Sequence, residues 1–398
     1  MRIVFPLATF FCVLCGYFVL RPVRDEISVR AGIENLPWLF TATFVATLLL
    51  VPLFGWIVSR ARRRVIATST WALCSLLLVV TWMALQRGGN ITAWGIGLYV
   101  GISVLNLFII SVFWSLMADS YDEGEARRRY GIIAAGGTAG AIAGPSLTAL
   151  LAPAVGPMNL LPISAAFLAT AAILSLMIPR RADAAPRERI GGNIFAGIRI
   201  ALASPTLLRI ALIIVCYTTI STILYFEQTD IVKRTISDSG KRTQFFALLD
   251  LANNSLTVIT QLLITSRVLT KLGLRTALSA APALVGAGLA VLAFFPRLAV
   301  IAVVQVIHRV SEHAFTRPGR EVIYTSVGAE ARYKAKNFID TFVYRGNDAL
   351  VAWLIGLLHA AGAGIPTIAG LGVLVAAGWL ANGRVLGRQQ DLKVESAP

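Results

Sequence analysis

The sequence predicts an all-α polytopic membrane protein with twelve transmembrane helices, arranged as two pseudo-symmetric six-helix bundles. Three observations support this fold class. Hydrophobic residues make up 57% of the 398 residues and charged residues only 14%, too little polar surface to cover a water-soluble globule of this size. Apolar segments of about 20 residues, each long enough to cross a bilayer as a helix, follow one another along the chain. The third observation is that the two halves of the chain repeat short motifs.

The apolar segments give the limits of the predicted spans. No long period-two alternation is present that would favour a β-barrel over helices. Six spans precede the longest polar interruption and six follow it. The predicted limits are 3–24, 37–58, 65–85, 94–117, 131–152 and 159–178 in the first half, and 206–226, 244–265, 274–294, 298–316, 338–361 and 365–383 in the second.

The charge distribution explains the formal net charge of +16 without nucleic acid. Most lysine and arginine residues lie in alternate loops, and such loops are cytoplasmic by the positive-inside rule. We therefore expect both termini in the cytoplasm and a location in the bacterial inner membrane. We expect the basic surface to contact phospholipid and not nucleic acid. The basic loops include Arg60–Arg64, Arg127–Arg129, Arg180–Arg189, Arg267–Arg275 and Arg317–Lys336.

The interruption is rich in proline, glycine and arginine, and it predicts the domain boundaries. We expect an N-terminal bundle at 1–178, a cytoplasmic linker at 179–204 and a C-terminal bundle at 205–398. Three motifs recur in matching places about 205 to 211 positions later in the chain, a spacing that chance rarely produces. These pairs are Tyr17-Phe18 with Tyr225-Phe226, the basic turn 55–64 with 270–275, and the loop 125–130 with 330–334.

Span one ends in a charged cluster, Arg21-Pro-Val-Arg24-Asp25-Glu26, that follows Tyr17 on the same helix. Charges at a helix end either reach the membrane interface or face a wet cavity. The repeat makes the Glu227–Asp230 end of span seven the counterpart of this cluster, which favours a gate or the rim of a solute cavity. We expect Asp25 to neutralise one arginine and to leave the other for the solute.

The cysteines and glycines indicate packing rather than chemistry. Leu14 is too large for the residue before a lipidated Cys15, so we expect span one to stay uncleaved. The four cysteines lie inside apolar spans and form no disulfide or metal framework, and we expect no cofactor. The glycines of span five lack the lysine of a phosphate loop and fit close helix packing. No catalytic constellation is present, so we predict no enzyme and no catalytic residues.

Span eight has one polar face. Asp250, Asn253, Asn254, Thr257 and Gln261 follow the spacing of a helical stripe. Such a stripe is too costly to face lipid, so it lines either a solute cavity or a hydrogen-bonded helix interface. We interpret Asn253 and Asn254 as solute-binding residues and Asp250 as a coupling or gating residue.

Spans ten and eleven carry further polar residues. Arg309 is a candidate for binding an anion, because its guanidinium stays charged and offers a bidentate fork. His308 lies one turn before Glu312, so the two could relay a proton, although an ion pair between arginine and glutamate explains the same pattern. Asp340 and Arg345 of span eleven favour an internal network at the cytoplasmic gate.

Several motifs resemble a known family. LRPVRDE (20–26), ENLPWLFT (34–41), FWSLMAD (113–119), AAGGTAGAIAGP (134–145), RPGRE (317–321), YKAKNFIDT (333–341) and YRGND (344–348) are similar to a bacterial group of the major facilitator superfamily related to ATP/ADP translocases. The turn 55–64 also resembles the superfamily's signature G-x-x-x-D-R-x-G-R-R, with Ser59 in place of the aspartate and Arg62 in place of the second glycine. The resemblance implies a twelve-helix carrier.

Two transport functions and one alternative class follow. The first is secondary active transport of a small anionic, nucleotide-like metabolite by alternating access, with Tyr17, Arg21, Arg24, Asn253, Asn254 and Arg309 as the solute-binding residues. The second is proton-coupled transport or efflux of a neutral or cationic compound, in which Asp25, Asp250 or Glu312 carries the proton. The third is a scaffold or sensor, which would not require a polar interior. We expect a small-molecule substrate, membrane lipids as partners, protons as a candidate coupling ion, and a monomer.

Overall fold

The computed structural model describes residues 3–178, 194–328 and 335–395, and these residues form helices without any strand. The first half contains α1 (Val4–Ala31), α2 (Leu36–Arg60), α3 (Arg63–Gln86), α4 (Ile91–Ser120), α5 (Glu123–Val155) and α6 (Leu161–Leu176). The second half contains α7 (Ile194–Ala203), α8 (Pro205–Thr235), α9 (Ser239–Thr260), α10 (Gly273–Phe294), α11 (Leu298–Ser311), α12 (Arg317–Thr325), α13 (Tyr344–Ala360) and α14 (Ile365–Glu395). Four π-helices are present at Gln261–Thr265, Val268–Leu272, Glu312–Thr316 and Phe338–Val343.

Eleven helices among the described residues are long and apolar enough to cross a membrane. They correspond to predicted spans one to ten and twelve, so the all-α membrane fold is confirmed. The predicted eleventh span, 338–361, is also helical, because the π-helix Phe338–Val343 continues into α13. It does not count among the eleven, and its polar residues Asp340, Arg345 and Asp348 lower its hydropathy.

The predicted linker lies partly outside the described residues, which omit 179–193. Its final part contains the helix α7 at Ile194–Ala203. The repeat motif at 330–334 also lies outside the described residues. The boundaries of the two predicted bundles therefore stay a prediction.

Contacts between Cα atoms divide the chain into two compact units. Unit 1 comprises Met1–Gly32, Thr41–Arg189 and Ile236–Asn254. Within it, α1 packs against α4, α5 and α6, and α3 packs against α6. Glycines on α5 permit the closest approach: a Cβ at Gly136 would lie 2.5 Å from the carbonyl oxygen of Leu7. This seam confirms the interpretation of the span-five glycines as small-residue helix packing.

Unit 2 comprises Ile33–Phe40, Ile190–Thr235 and Ser255–Pro398. Within it, α8 packs against α11, α13 and α14, and α10 packs along α14. The basic turn before α10 ends at Gly273, whose positive φ of 77° favours glycine. Asp391 of α14 accepts hydrogen bonds from the backbone N–H groups of Leu274 and Arg275, at 2.9 and 3.1 Å, and so caps the first turn of α10.

Candidate functional site

The charged cluster of span one continues the helix α1 instead of ending it. Tyr17, Asp25 and Glu26 are buried, with exposed fractions of 4%, 3% and 0%. A charged group at such depth requires a partner of opposite charge or a ligand, because water is excluded. These three side chains are therefore part of the interior of unit 1.

Arg21 pairs with a carboxylate from a helix distant in sequence. Its Nη1 atom lies 3.0 Å from Oδ1 of Asp250 on α9, and the exposed fractions of the two side chains are 18% and 2%. The guanidinium also lies 5.9 Å from the ring centroid of Phe18. This ion pair joins the first predicted half of the chain to α9 within unit 1.

Arg24 pairs with its sequence neighbour, Asp25. Nη2 and Nε of Arg24 lie 2.6 and 3.0 Å from Oδ1 of Asp25, and the guanidinium lies 5.7 Å from the ring centroid of Tyr99. Asp25 thus neutralises one arginine, as expected. Arg21 is not left without a carboxylate, however, because Asp250 is its partner, and sequence spacing cannot show that contact.

Arg242 is a member of the cluster that the sequence analysis missed, whereas Glu26 was already part of it. Glu26 is fully buried between Arg30, at 2.9 Å, and Arg242 of α9, at 3.0 Å. The spacing of Glu26 and Arg30 is one helical turn, so that part of the triad could have been inferred from the sequence. The contact with Arg242 could not, because it depends on how α9 packs.

Asn253 and Asn254 have different environments. Nδ2 of Asn254 donates a hydrogen bond to the carbonyl oxygen of Ala141 on α5, at 2.7 Å. Asn253 is 4% exposed, and neither its amide oxygen nor its amide nitrogen has a hydrogen-bond partner among the described residues. A buried amide without partners is costly and requires an explanation, such as a ligand that completes it. Asn253 lies one turn beyond Asp250 on the same face of α9.

A second cluster in unit 2 joins two of the π-helices. Arg320 on α12, only 8% exposed, lies 3.5 Å from Glu312 and 3.5 Å from Asp340. Glu312 and Asp340 each belong to a π-helix, and π-helices are common at functional sites. They also change the spacing of side chains from that of the α-helical repeat. Arg320 was not among the predicted site residues.

The remaining predicted residues of span ten and span eleven are spread over unit 2. The ring of His308, 1% exposed, stacks on Tyr217 of α8 with centroids 4.7 Å apart. Arg309 is half-buried on α11. Arg345 lies 3.6 Å from Asp348 on the same helix, α13. The carboxylate of Glu312 thus faces Arg320, while His308 makes an aromatic contact.

The unit 1 cluster is suited to binding an anion. A guanidinium presents two parallel N–H donors that match a carboxylate or a phosphate, and these groups can replace an aspartate at the same site. Among the described residues, no group of three or more His, Cys, Asp or Glu side chains could hold a metal ion. The guanidinium groups of the cluster can recognise an anion reversibly.

The eleven candidate spans among the described residues define a multi-pass membrane protein, and comparison with known families identifies its class. The sequence model of the Major Facilitator Superfamily matches residues 7–233, which is more than half of the chain. The chain belongs to the major facilitator superfamily.

Solved structures share this fold at low sequence identity. The chain is similar to the nucleoside transporter NupG, with 14% identity, a TM-score of 0.67, and coverage of 96% of this chain and 98% of the other. It is also similar to the POT family transporter PepTSo, with 14% identity, a TM-score of 0.66 and 98% coverage of both chains. A bacterial homologue of the iron transporter ferroportin gives 10% identity, a TM-score of 0.66, and coverage of 98% and 99%. No curated protein matches the sequence.

Proposed function

We propose that this transporter moves a small anionic metabolite across the bacterial inner membrane by alternating access, with both termini in the cytoplasm. The observation that carries the proposal is the ion pair between half-buried Arg21 and buried Asp250, beside Asn253, whose amide has no hydrogen-bond partner among the described residues. An incoming carboxylate or phosphate competes with Asp250 for Arg21, and Asn253 supplies a further donor. The site is then occupied by a ligand in one state and by the protein's own carboxylate in the other.

This exchange of partners explains how a buried site can release its solute. An arginine without any counter-charge would bind an anion and retain it, because leaving a charge unpaired in the interior costs several kcal/mol. Asp250 lowers that cost, since it neutralises Arg21 whenever the solute is absent. Arg24 keeps its own partner, Asp25, and adds positive potential to the same region of α1.

The resemblance to the ATP/ADP translocase-related group makes nucleotides the first class of anion to examine, and similarity to a nucleoside transporter adds modest support. The peptide and iron transporters among the similar structures show that other cargo uses the same fold. We propose a monomer built from two six-helix bundles, 1–178 and 205–398, which exposes the site to each side of the membrane in turn.

A ligand-stabilisation screen tests this proposal. Thermal unfolding of the detergent-solubilised protein is measured with nucleoside phosphates, dicarboxylates and inorganic phosphate, each beside its nearest neutral analogue. A true solute at 100 times its Kd stabilises the folded state by about 2.7 kcal/mol. We expect at least one anion, and not its neutral analogue, to raise the unfolding temperature.

The matched control for the screen is the double variant Arg21→Ala/Asp250→Ala, which removes both charges and leaves neither carboxylate nor guanidinium unpaired. The anion should no longer stabilise this variant. Equal stabilisation of the double variant, or stabilisation only by neutral or cationic compounds, would overturn the assignment of an anionic solute. It would favour the second function, proton-coupled transport of a neutral or cationic compound.

A further inference from the structure

Unit 2 contains a buried acidic residue that the groups considered above do not include. Glu227 on α8 has an exposed fraction of 0%, and neither of its carboxyl oxygens has a hydrogen-bond partner among the described residues. His359 lies near the end of α13, and its Nε2 atom is 3.8 Å from Oε1 of Glu227. The imidazole ring also stacks on Phe226, with centroids 6.4 Å apart.

The hydrogen bonds of His359 determine which ring nitrogen carries hydrogen. Nδ1 lies 3.0 Å from the backbone carbonyl oxygen of Ile355. A carbonyl oxygen can only accept, so Nδ1 must donate and must carry a hydrogen. In the neutral ring, Nε2 therefore has a lone pair, and this lone pair is on the side of Glu227.

Two hydrogen-bond acceptors consequently face each other in a buried place. An ionised carboxylate and a bare Nε2 atom both lack hydrogen, so neither can satisfy the other, and two adjacent acceptors repel. One added proton resolves this arrangement: it makes either a carboxyl group that donates to Nε2 or an imidazolium that donates to the carboxylate. A movement of about 1 Å would bring the two atoms to hydrogen-bond distance.

The surrounding charges do not provide another partner for Glu227. On its own helix, Asp230 pairs with Arg234 at 2.6 Å, and Arg234 is 70% exposed. The Ile33–Asn35 turn packed against α8 carries Glu34, which is exposed. In the described part of the chain, α7, α11, α14 and the π-helix Phe338–Val343 bring no charged side chain within ion-pair distance of Glu227.

We propose that Glu227 and His359 form a one-proton site, in which a single proton is held between the carboxyl group and Nε2 and is taken up or released by the pair as a unit. The ligand is a proton and not a metal ion, because the pair supplies only one carboxylate and one imidazole. If the proposed transport function holds, this pair is the site of the coupling proton, separate from Arg21 and Asp250 in unit 1.

Spectroscopy of the resting protein tests the site without any solute. The chain has only three histidines, so ring-¹⁵N-labelled histidine gives few signals, and His359→Gln identifies those of His359. Difference infrared spectra against Glu227→Gln identify the carboxyl band of Glu227. At neutral pH we expect one proton on the pair, seen either as a protonated carboxyl group or as an imidazolium. Raising the pH should remove this proton, and the carboxyl band of Glu227 and the ¹⁵N signals of His359 should then change with the same midpoint pH.

The matched control is Glu123→Gln, the same substitution at an exposed glutamate of α5, which should leave the His359 signals unchanged. An ionised Glu227 beside a neutral His359 with a bare Nε2 at neutral pH would overturn the proposal, as would two protons on the pair or independent midpoints. A shift of either signal on addition of Na⁺ would assign the site to a metal cation instead.

The transport role has its own readout in proteoliposomes. Uptake driven by a proton gradient should be lost in Glu227→Gln and kept in Glu123→Gln, and gradient-driven uptake that persists in Glu227→Gln would contradict the coupling role. If no anion is transported under any condition, the proposed function fails while the spectroscopic result on the one-proton site still stands.

Discussion

Arg21 and Asp250 show how a helical membrane protein keeps charge in its interior. Each side chain is shielded from solvent, and the ion pair between them, at 3.0 Å, offsets the desolvation of both. Removing one partner is more costly than removing both, because a single remaining charge is left buried without compensation. This asymmetry allows a test that separates the role of Arg21 in folding from its role in solute binding.

The first prediction concerns the stability of this pair. Arg21→Ala should destabilise the protein by about 3 to 5 kcal/mol, since it leaves Asp250 buried without its guanidinium. Arg21→Ala/Asp250→Ala should recover most of that loss and still fail to bind the anion. Thermal unfolding in detergent measures the stability. Arg127→Ala is the control, because the exposed Arg127–Glu123 pair should contribute little. A double variant no more stable than the single variant would contradict the prediction.

The second prediction uses the two neighbouring asparagines. Asn253→Leu removes an amide without hydrogen-bond partners, so it should leave the unfolding temperature unchanged or raise it while it reduces transport. Asn254→Leu removes the hydrogen bond to Ala141 and should lower the free energy of unfolding by about 1 kcal/mol or more. The unfolding temperature should fall accordingly. If Asn253→Leu destabilised the protein as much as Asn254→Leu and transported normally, Asn253 would be a packing residue.

At the scale of single residues, the sequence predicted which polar residues share a helical face better than it predicted their ion-pair partners. The spacing of Asp250, Asn253 and Asn254 correctly placed them on one helical face, because α-helical periodicity is local. The partnership of Arg21 with Asp250 depends on the packing of helices far apart in sequence. A helical spacing rule contains no such information, and the same holds for Glu26 with Arg242.

At the scale of elements, the seam between α1 and α5 depends on the absence of side chains. The glycines Gly136, Gly137, Gly140 and Gly144 face α1, and a Cβ on any of them would collide with its backbone or with a ring. Gly131, on the same helix, has nothing within 4 Å of such a Cβ. The two kinds of position provide a matched pair of substitutions.

The third prediction is that Gly136→Ala destabilises the protein, because its methyl group would meet the Leu7 carbonyl oxygen at 2.5 Å and force α1 away. We expect a loss of about 1 to 3 kcal/mol, typical of overpacking. Gly131→Ala should be neutral or stabilising by about 1 kcal/mol, since alanine favours the helix more than glycine does. Thermal unfolding of the two variants side by side is the measurement. Equal unfolding temperatures would show that the seam is loose.

The helices themselves were predictable and their irregularities were not. Apolar runs located the long helices, because crossing the bilayer imposes a length and a composition. They did not give all the helix ends, since α1, α8 and α14 continue to Ala31, Thr235 and Glu395, well beyond the predicted limits. The π-helices at Glu312–Thr316 and Phe338–Val343 add a residue to one turn, which a spacing analysis at 3.6 residues per turn cannot detect. Arg320, which bridges these two segments, was missed for the same reason.

At the scale of the whole molecule, the fold establishes a transporter without establishing its cargo. Structures of transporters for nucleosides and peptides, and of a bacterial homologue of an iron transporter, all resemble this chain over nearly its full length. The cargo must therefore be determined by the few buried polar groups, which can differ between transporters that share this helical framework.

The fourth prediction concerns the number of crossings. Among the described residues, eleven helices meet the length and hydropathy of a span, and the predicted eleventh span, 338–361, would make a twelfth crossing. If this segment crosses the membrane, both termini lie on the same side. Reporter fusions at each terminus, one active only in the cytoplasm and one only outside it, should place both in the cytoplasm. Termini on opposite sides would show that 338–361 does not cross.

The most direct test of the central claim is uptake of a labelled anion, chosen by the stabilisation screen, into proteoliposomes loaded with the same unlabelled anion. We predict saturable exchange by the wild-type protein, and loss of exchange in Arg21→Ala/Asp250→Ala with the variant still inserted and folded. Exchange by the double variant at the wild-type rate would contradict the claim that Arg21 holds the solute in place of Asp250.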